Sequence, residues 1–107
     1  MGNYRDKLAI ISDILSIASL KPRKTQIMYQ ANLSSRLLQK YLARMSDSSL
    51  ICFEAESRCY VLTPKGKAFL DAYKEYLKRS RQAEKIFSEV TSKKETLEKS
   101  LNQGQKQ

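Results

Sequence analysis

The sequence contains no histidine, and only two cysteines, three glycines and two prolines in 107 residues. Each shortage excludes something. Without histidine there is no Ser-His or Cys-His dyad and no common general base. Cys52 and Cys59 are not in a metal-ligand spacing, which removes the common zinc sites. Three glycines form no phosphate-cradling loop. The chain therefore reads as a non-enzyme, with no cofactor and no metal. No apolar run approaches about 18 residues, so no transmembrane helix and no membrane partner are expected. The N-terminus lacks the charged, apolar, small-residue order of a signal peptide. A cytoplasmic protein with two free thiols is expected. Positive charge, by contrast, is plentiful: 20 Lys and Arg against 11 Asp and Glu, a net charge of +9. That balance points to a polyanionic partner, most often nucleic acid, and hence to a nucleoid-associated location. A hydrophobic content of 41% suffices for one small core.

Residues 24–47 carry the strongest local pattern and read as a helix-turn-helix. Thr25 is placed to cap a short helix over Gln26–Ala31. Asn32 tolerates the left-handed conformation that ends a helix, Leu33 plugs the corner, and Ser34 caps the next helix. On that second helix Leu38, Tyr41, Leu42 and Met45 make one apolar face. Arg36, Lys40 and Arg44 recur every fourth residue on another face. A helix that buries one side and shows cations on the other can lie in the DNA major groove. An ordinary amphipathic helix with a solvated basic face would show the same pattern.

Before this stretch, residues 4–20 read as a core helix with its stripe at Tyr4, Leu8, Ile11, Leu15 and Ala18, widened by Ile14 and Ile17. Pro22 ends it. Lys21, Arg23 and Lys24 then stand where they could reach phosphates, or where they could form a solvated loop. After Asp47, two β-prone runs, Leu50–Glu54 and Arg58–Leu62, flank Ala55-Glu56-Ser57 and read as a hairpin. A hairpin directly after a helix-turn-helix is a wing. Arg58 is the one cation near its tip, and Glu54 and Glu56 oppose a phosphate. Cys52 and Cys59 sit on the two strands, near neighbours or diagonal according to register.

Thr63 and Pro64 are placed as the cap and first residue of a last helix, which would run to Asn102. It is too long for a core built from the first 62 residues to cover. Phe69, Tyr73, Tyr76, Ser80, Ala83, Phe87, Val90, Lys94, Leu97 and Leu101 alternate in steps of four and three, a heptad seam broadened by Leu70, Leu77 and Ile86. With no second long helix in the chain, the simplest partner is another copy. A parallel pair would set Lys94 against Lys94. An antiparallel pair crossing near Lys85 sets Phe87 against Ala83, Tyr73 against Leu97 and Phe69 against Leu101, and gives Lys94 the aromatic face of Tyr76. Flanking charges favour the parallel pair, but exposed pairs contribute only about 0.2–1 kcal/mol each, so seam packing favours the antiparallel one.

The run Lys24-Thr25-x-Ile27-Met28-Tyr29-x-Ala31-Asn32-Leu33-Ser34, followed by Tyr60-x-Leu62-Thr63-x-Lys65-Gly66, resembles the small archaeal winged-helix DNA-binding proteins of about ten kilodaltons that dimerise through a long C-terminal helix. The resemblance covers about Arg5 to Leu101. It implies a winged helix, an antiparallel coiled-coil homodimer and binding to double-stranded DNA as a chromatin or regulatory protein. It also implies an archaeal source, and recognition-helix positions at Ser35, Arg36, Gln39, Lys40 and Arg44. The link Ala55-Glu56-Ser57 departs from the glycine-containing, less acidic wing tip expected of the family, which leaves Arg58 as the wing's only candidate contact.

The expected fold is therefore mainly α with a small β hairpin: a winged helix-turn-helix domain over 1–63, a dimerisation helix over 64–102 and a frayed polar tail over 103–107. In the expected DNA complex, Arg36, Lys40 and Arg44 enter the major groove. Ser35 and Gln39 hydrogen-bond base edges, Ser34 helps hold a phosphate at the helix start, and Lys21, Arg23, Lys24 and Arg58 bind flanking phosphates. Two readings from other classes stand beside it: a protein-interaction scaffold that uses the coil, and a ligand-responsive transcription factor of the same fold.

Overall fold

Asp6 opens the first helix, its Oδ1 accepting from the Ala9 N–H at 2.8 Å. The computed structural model describes residues 5–104. In chain order these form α1 (Lys7–Ala18), α2 (Lys24–Ala31), α3 (Ser35–Asp47), β1 (Ile51–Glu54), β2 (Cys59–Leu62) and α4 (Pro64–Gly104). The architecture is mainly α with a two-stranded antiparallel hairpin, as the sequence implies.

α1 is shorter than the expected 4–20, and Tyr4 lies outside the described residues. It buries Ile10, Ile11, Ile14, Leu15 and Ala18, whereas Leu8 is 40% exposed and Ile17 only half-buried. The run Leu8-Ala9-Ile10-Ile11 is apolar on every side, so periodicity alone does not choose between Leu8 and Ile10. Arg5 ties the start of α1 to the end of α2. Its guanidinium meets Asp13 at 2.6 Å and donates to the Ala31 carbonyl at 2.6 Å, satisfying a carbonyl the helix end leaves open.

α2 starts two residues earlier than the sequence suggests, and its N-cap is Arg23, not Thr25. Arginine offers no side-chain acceptor. The helix start is held instead by Gln26, whose Oε1 accepts from the Arg23 N–H at 2.8 Å. Asn32 ends α2 at φ 54°, ψ 55°, and the Leu33 N–H reaches back to the Met28 carbonyl at 3.1 Å. α3 closes the same way: Ser49 is left-handed at φ 63° and the Leu50 N–H donates to the Met45 carbonyl at 2.9 Å. This six-to-one closure needs one left-handed residue after each helix, filled here by Asn and Ser rather than Gly.

In the hairpin Ile51 pairs with Leu62, Cys52 with Val61, Phe53 with Tyr60 and Glu54 with Cys59. The link is four residues, Ala55 to Arg58, one longer than expected. Arg58 lies in the turn, left-handed at φ 57°. The register makes Cys52 and Cys59 diagonal, and both are free thiols. The hairpin also gains a third edge. The Tyr60 N–H donates to the Pro22 carbonyl at 2.9 Å and Arg23 bridges to Cys59, so the connection between α1 and α2 is pinned to β2.

Fully buried Ile14, Leu15, Ile27, Leu38 and Met45 form the centre of the core, joined by Leu50, Ile51 and Leu70. Thr63 caps α4: its Oγ1 accepts from the Gly66 N–H at 2.9 Å and contacts the Ser49 and Leu50 carbonyls at 2.7 and 2.9 Å. Leu70 then enters the core, which is why the chain divides into one compact unit ending at Tyr73 and a second starting at Lys74. α4 itself is continuous as far as Gly104. The helix thus passes the expected end at Asn102, and Gln103 and Gly104 are helical rather than frayed. Residues 105–107 lie outside the described residues. No helix among the described residues is long and apolar enough to cross a membrane.

Candidate nucleic-acid interface

α3 follows directly from its sequence. Ser34 takes the extended conformation and accepts from the Leu37 N–H at 3.1 Å, one of the donors a helix start leaves open. Leu38, Leu42 and Met45 then face the core, and Ser35, Arg36, Gln39, Lys40 and Arg44 remain exposed. A step of four residues turns about 40° beyond a full turn of the helix, so Arg44 lies about 80° around the axis from Arg36.

That rotation divides the cations. Arg36 and Lys40 line one shallow concavity with Ser34 and Leu37. Gln39 turns towards the hairpin and lines a second, also shallow, of about 400 Å³, with Arg23, Lys24, Thr25, Phe53, Arg58 and Tyr60. Here the start of α2, the outer face of α3 and the wing turn meet. The Lys24 ammonium donates to the Gln39 Oε1 at 2.5 Å, which fixes the direction of that amide. Arg44 stands apart, with Lys7 and Lys65 around an apolar groove of about 260 Å³ floored by Leu8, Ile11, Met45, Leu50 and Phe69. Lys21 is exposed in the turn before Pro22, at φ 52°. Of the ten residues the sequence proposes for DNA contact, the structure gathers Arg23, Lys24, Gln39 and Arg58 around one concavity and Ser34, Arg36 and Lys40 around another.

The charge of this face is not neutralised locally. Among the described residues the ion pairs are Arg5–Asp13, Lys67–Asp71 and Arg79–Glu75, and none involves a proposed contact cation. Glu54 instead accepts from the Ser57 hydroxyl at 3.0 Å. No acidic side chain lines the concavity that holds Arg58. No group of His, Cys, Asp or Glu among the described residues could hold a metal ion.

Sequence reasoning missed Thr25, Phe53 and Tyr60 as lining residues, and Lys7 and Lys65 as neighbours of Arg44. The alternation Phe53/Tyr60 on paired strands was a usable signal, but only once the turn length fixes the register. Burial raises the Tyr60 hydroxyl above its ordinary pKa of 10.0, so it is a neutral hydrogen-bonding group at physiological pH.

A helix-turn-helix closed by Asn32, followed by a hairpin pinned to the first inter-helix connection, agrees with what sequence comparison finds. A family model for winged helix-turn-helix proteins matches residues 4–81. The chain belongs to the winged helix-turn-helix family. Among solved structures it is similar to Sso10a-2, a DNA-binding protein from Sulfolobus solfataricus. The TM-score is 0.74 and the identity 24%, over 82% of this chain and 95% of that one; at that identity the likeness establishes the fold. Among curated sequences it is 38% identical over 72 residues to an uncharacterised protein of Methanocaldococcus jannaschii. The match takes 66% of this chain and spans about a third (33%) of that relative's length. Both similar proteins are archaeal, in line with the resemblance noted above. In winged-helix nomenclature α3 occupies the position called the recognition helix and the β1–β2 turn the position called the wing.

Proposed function

We propose that the chain is a homodimeric double-stranded-DNA-binding protein, acting in chromatin or in transcriptional regulation. One observation carries the reading: the cations of the recognition helix, the start of α2 and the wing have no carboxylate partner among the described residues. The net charge of +9 and the DNA-binding description of the structurally similar Sso10a-2 support it. In this reading Arg36 and Lys40 lie along the major groove, and Ser35 and Gln39 meet base edges. Ser34 offers the helix start to a phosphate, and Lys21, Arg23, Lys24 and Arg58 hold flanking phosphates. The inventory is dominated by phosphate contacts, so sequence preference is modest. Dimerisation is proposed along the α4 seam, where Tyr76, Phe87, Val90, Leu97 and Leu101 are exposed apolar residues. Exposed apolar area on that scale marks an association surface.

Removing the major-groove cations tests this reading. Arg36→Ala and Lys40→Ala together should lower affinity for duplex DNA by about tenfold or more at moderate salt, and reduce the slope of log affinity against log salt by about two. Arg44→Ala, whose side chain lines a different groove, should have a smaller effect. Fluorescence anisotropy with labelled duplex reads both. Unchanged affinity in the combined Arg36, Lys40 and Arg44 variant contradicts the reading.

A further inference from the structure

We propose that the concavity between the wing and α2 is a stacking site for an unpaired base, so that this protein prefers DNA carrying an extrahelical or single-stranded nucleotide. The inference rests on the DNA-binding reading above and adds the substrate class. Phe53 and Tyr60 are directly paired across the hairpin, with ring centroids 5.1 Å apart and planes tilted by 53°. The two rings differ in role. Tyr60 packs against the core and its backbone N–H is held by Pro22. Phe53 is 50% exposed and lies outside the core cluster. A half-exposed phenylalanine costs solvation free energy, and of the two paired rings only Tyr60 packs against the core.

What surrounds the rings suits a nucleotide. Arg23, Lys24 and Arg58 line the same concavity of about 400 Å³, and no carboxylate lines it, so a phosphate would meet three cations. Gln39 lines it too, with Oε1 engaged by Lys24. Its amide N–H donors are left to meet an acceptor on a base edge. An aromatic platform with cations around it is the arrangement that binds single-stranded nucleic acid, because every base has a π-face. A base inside intact duplex offers only its edges. It must leave the stack to present a face, and that costs least where it has no partner.

The test compares three duplexes of equal length: fully paired, carrying one bulged adenosine, and carrying one bulged abasic nucleotide. The abasic duplex shares the bend and flexibility of the bulge but has no base to stack. The wild-type protein should bind the adenosine bulge about tenfold more tightly than the abasic bulge. That ratio should fall to about one in Phe53→Ala and in Phe53→Leu, the second keeping apolar bulk without a ring. Equal wild-type affinity for the two bulged duplexes overturns the stacking site, as does a ratio that survives in Phe53→Leu. Affinity for the fully paired duplex separately reads the parent proposal: paired binding without discrimination between bulges removes only the stacking site, and absence of all three interactions removes both.

Discussion

Phe87→Glu and Val90→Glu together are expected to turn a dimer into a monomer. Light scattering should give the wild type a mass near twice the 12.3 kDa chain, and the double variant a mass near that of one chain. Phe87 is 72% and Val90 59% exposed, and Ile86, Leu97 and Leu101 are similarly open on the same helix. Burying one such side chain contributes about 1.5–3 kcal/mol, so the seam's association free energy comes mainly from these residues. A carboxylate buried there without a partner removes that gain and adds a desolvation cost of several kcal/mol. Helicity should fall as well, since a helix as long as α4 needs an apolar partner surface to hold its far half. Orientation is readable in the same system. With Cys52 and Cys59 replaced by serine, a Tyr73→Cys chain should cross-link to a Leu97→Cys chain in an antiparallel pair, whereas each should cross-link to its own kind in a parallel one. A wild type that is monomeric at tens of micromolar contradicts the dimer.

Gly66→Ala is expected to destabilise the winged domain by about 2 kcal/mol or more. Helix propensity alone predicts the opposite, because alanine is favoured over glycine inside a helix by about 1 kcal/mol. Packing decides. A Cβ at position 66 would lie 2.1 Å from the Leu50 carbonyl oxygen and 2.8 Å from Leu62 Cδ1. The first of these is backbone and cannot swing aside. It also accepts from the Thr63 N–H at 3.2 Å and meets the Thr63 hydroxyl at 2.9 Å, so moving it disturbs the cap that starts α4. Urea unfolding followed by circular dichroism measures the loss. A variant as stable as the wild type would mean that the α3–β1 connection shifts without cost.

Much of the fold is legible because several signals are local. As helix caps and end signals Asn32, Ser34, Thr63 and Pro64 act within four residues of themselves, and the apolar face of α3 repeats cleanly enough to fix which side is buried. The errors have local causes as well. α1 is apolar on too many sides for periodicity to separate Leu8 from Ile10. The start of α2 is held by a glutamine reaching back rather than by a capping hydroxyl, so Thr25 attracted the assignment. The left-handed turn at Arg58 carries no glycine to announce it. The cations proposed for DNA contact could be named from the sequence, but their arrangement and the aromatic residues beside them could not. That Arg23, Lys24 and Arg58 share a concavity with Phe53, Tyr60 and Gln39 depends on Pro22 pairing with β2, a contact across 38 positions of sequence. That Arg44 faces Lys7 and Lys65 depends on how α1, α3 and the start of α4 pack.

The central claim is that unpaired cations on the recognition helix, the start of α2 and the wing bind the phosphates of duplex DNA. A titration of wild-type protein with random-sequence and genomic duplexes across a range of salt concentrations tests it most directly. The expected result is a straight fall of log affinity with log salt, with a slope of about −4 or steeper for four or more neutralised phosphates, and nearly equal slopes for the two DNAs. Affinity that does not change with salt would contradict it.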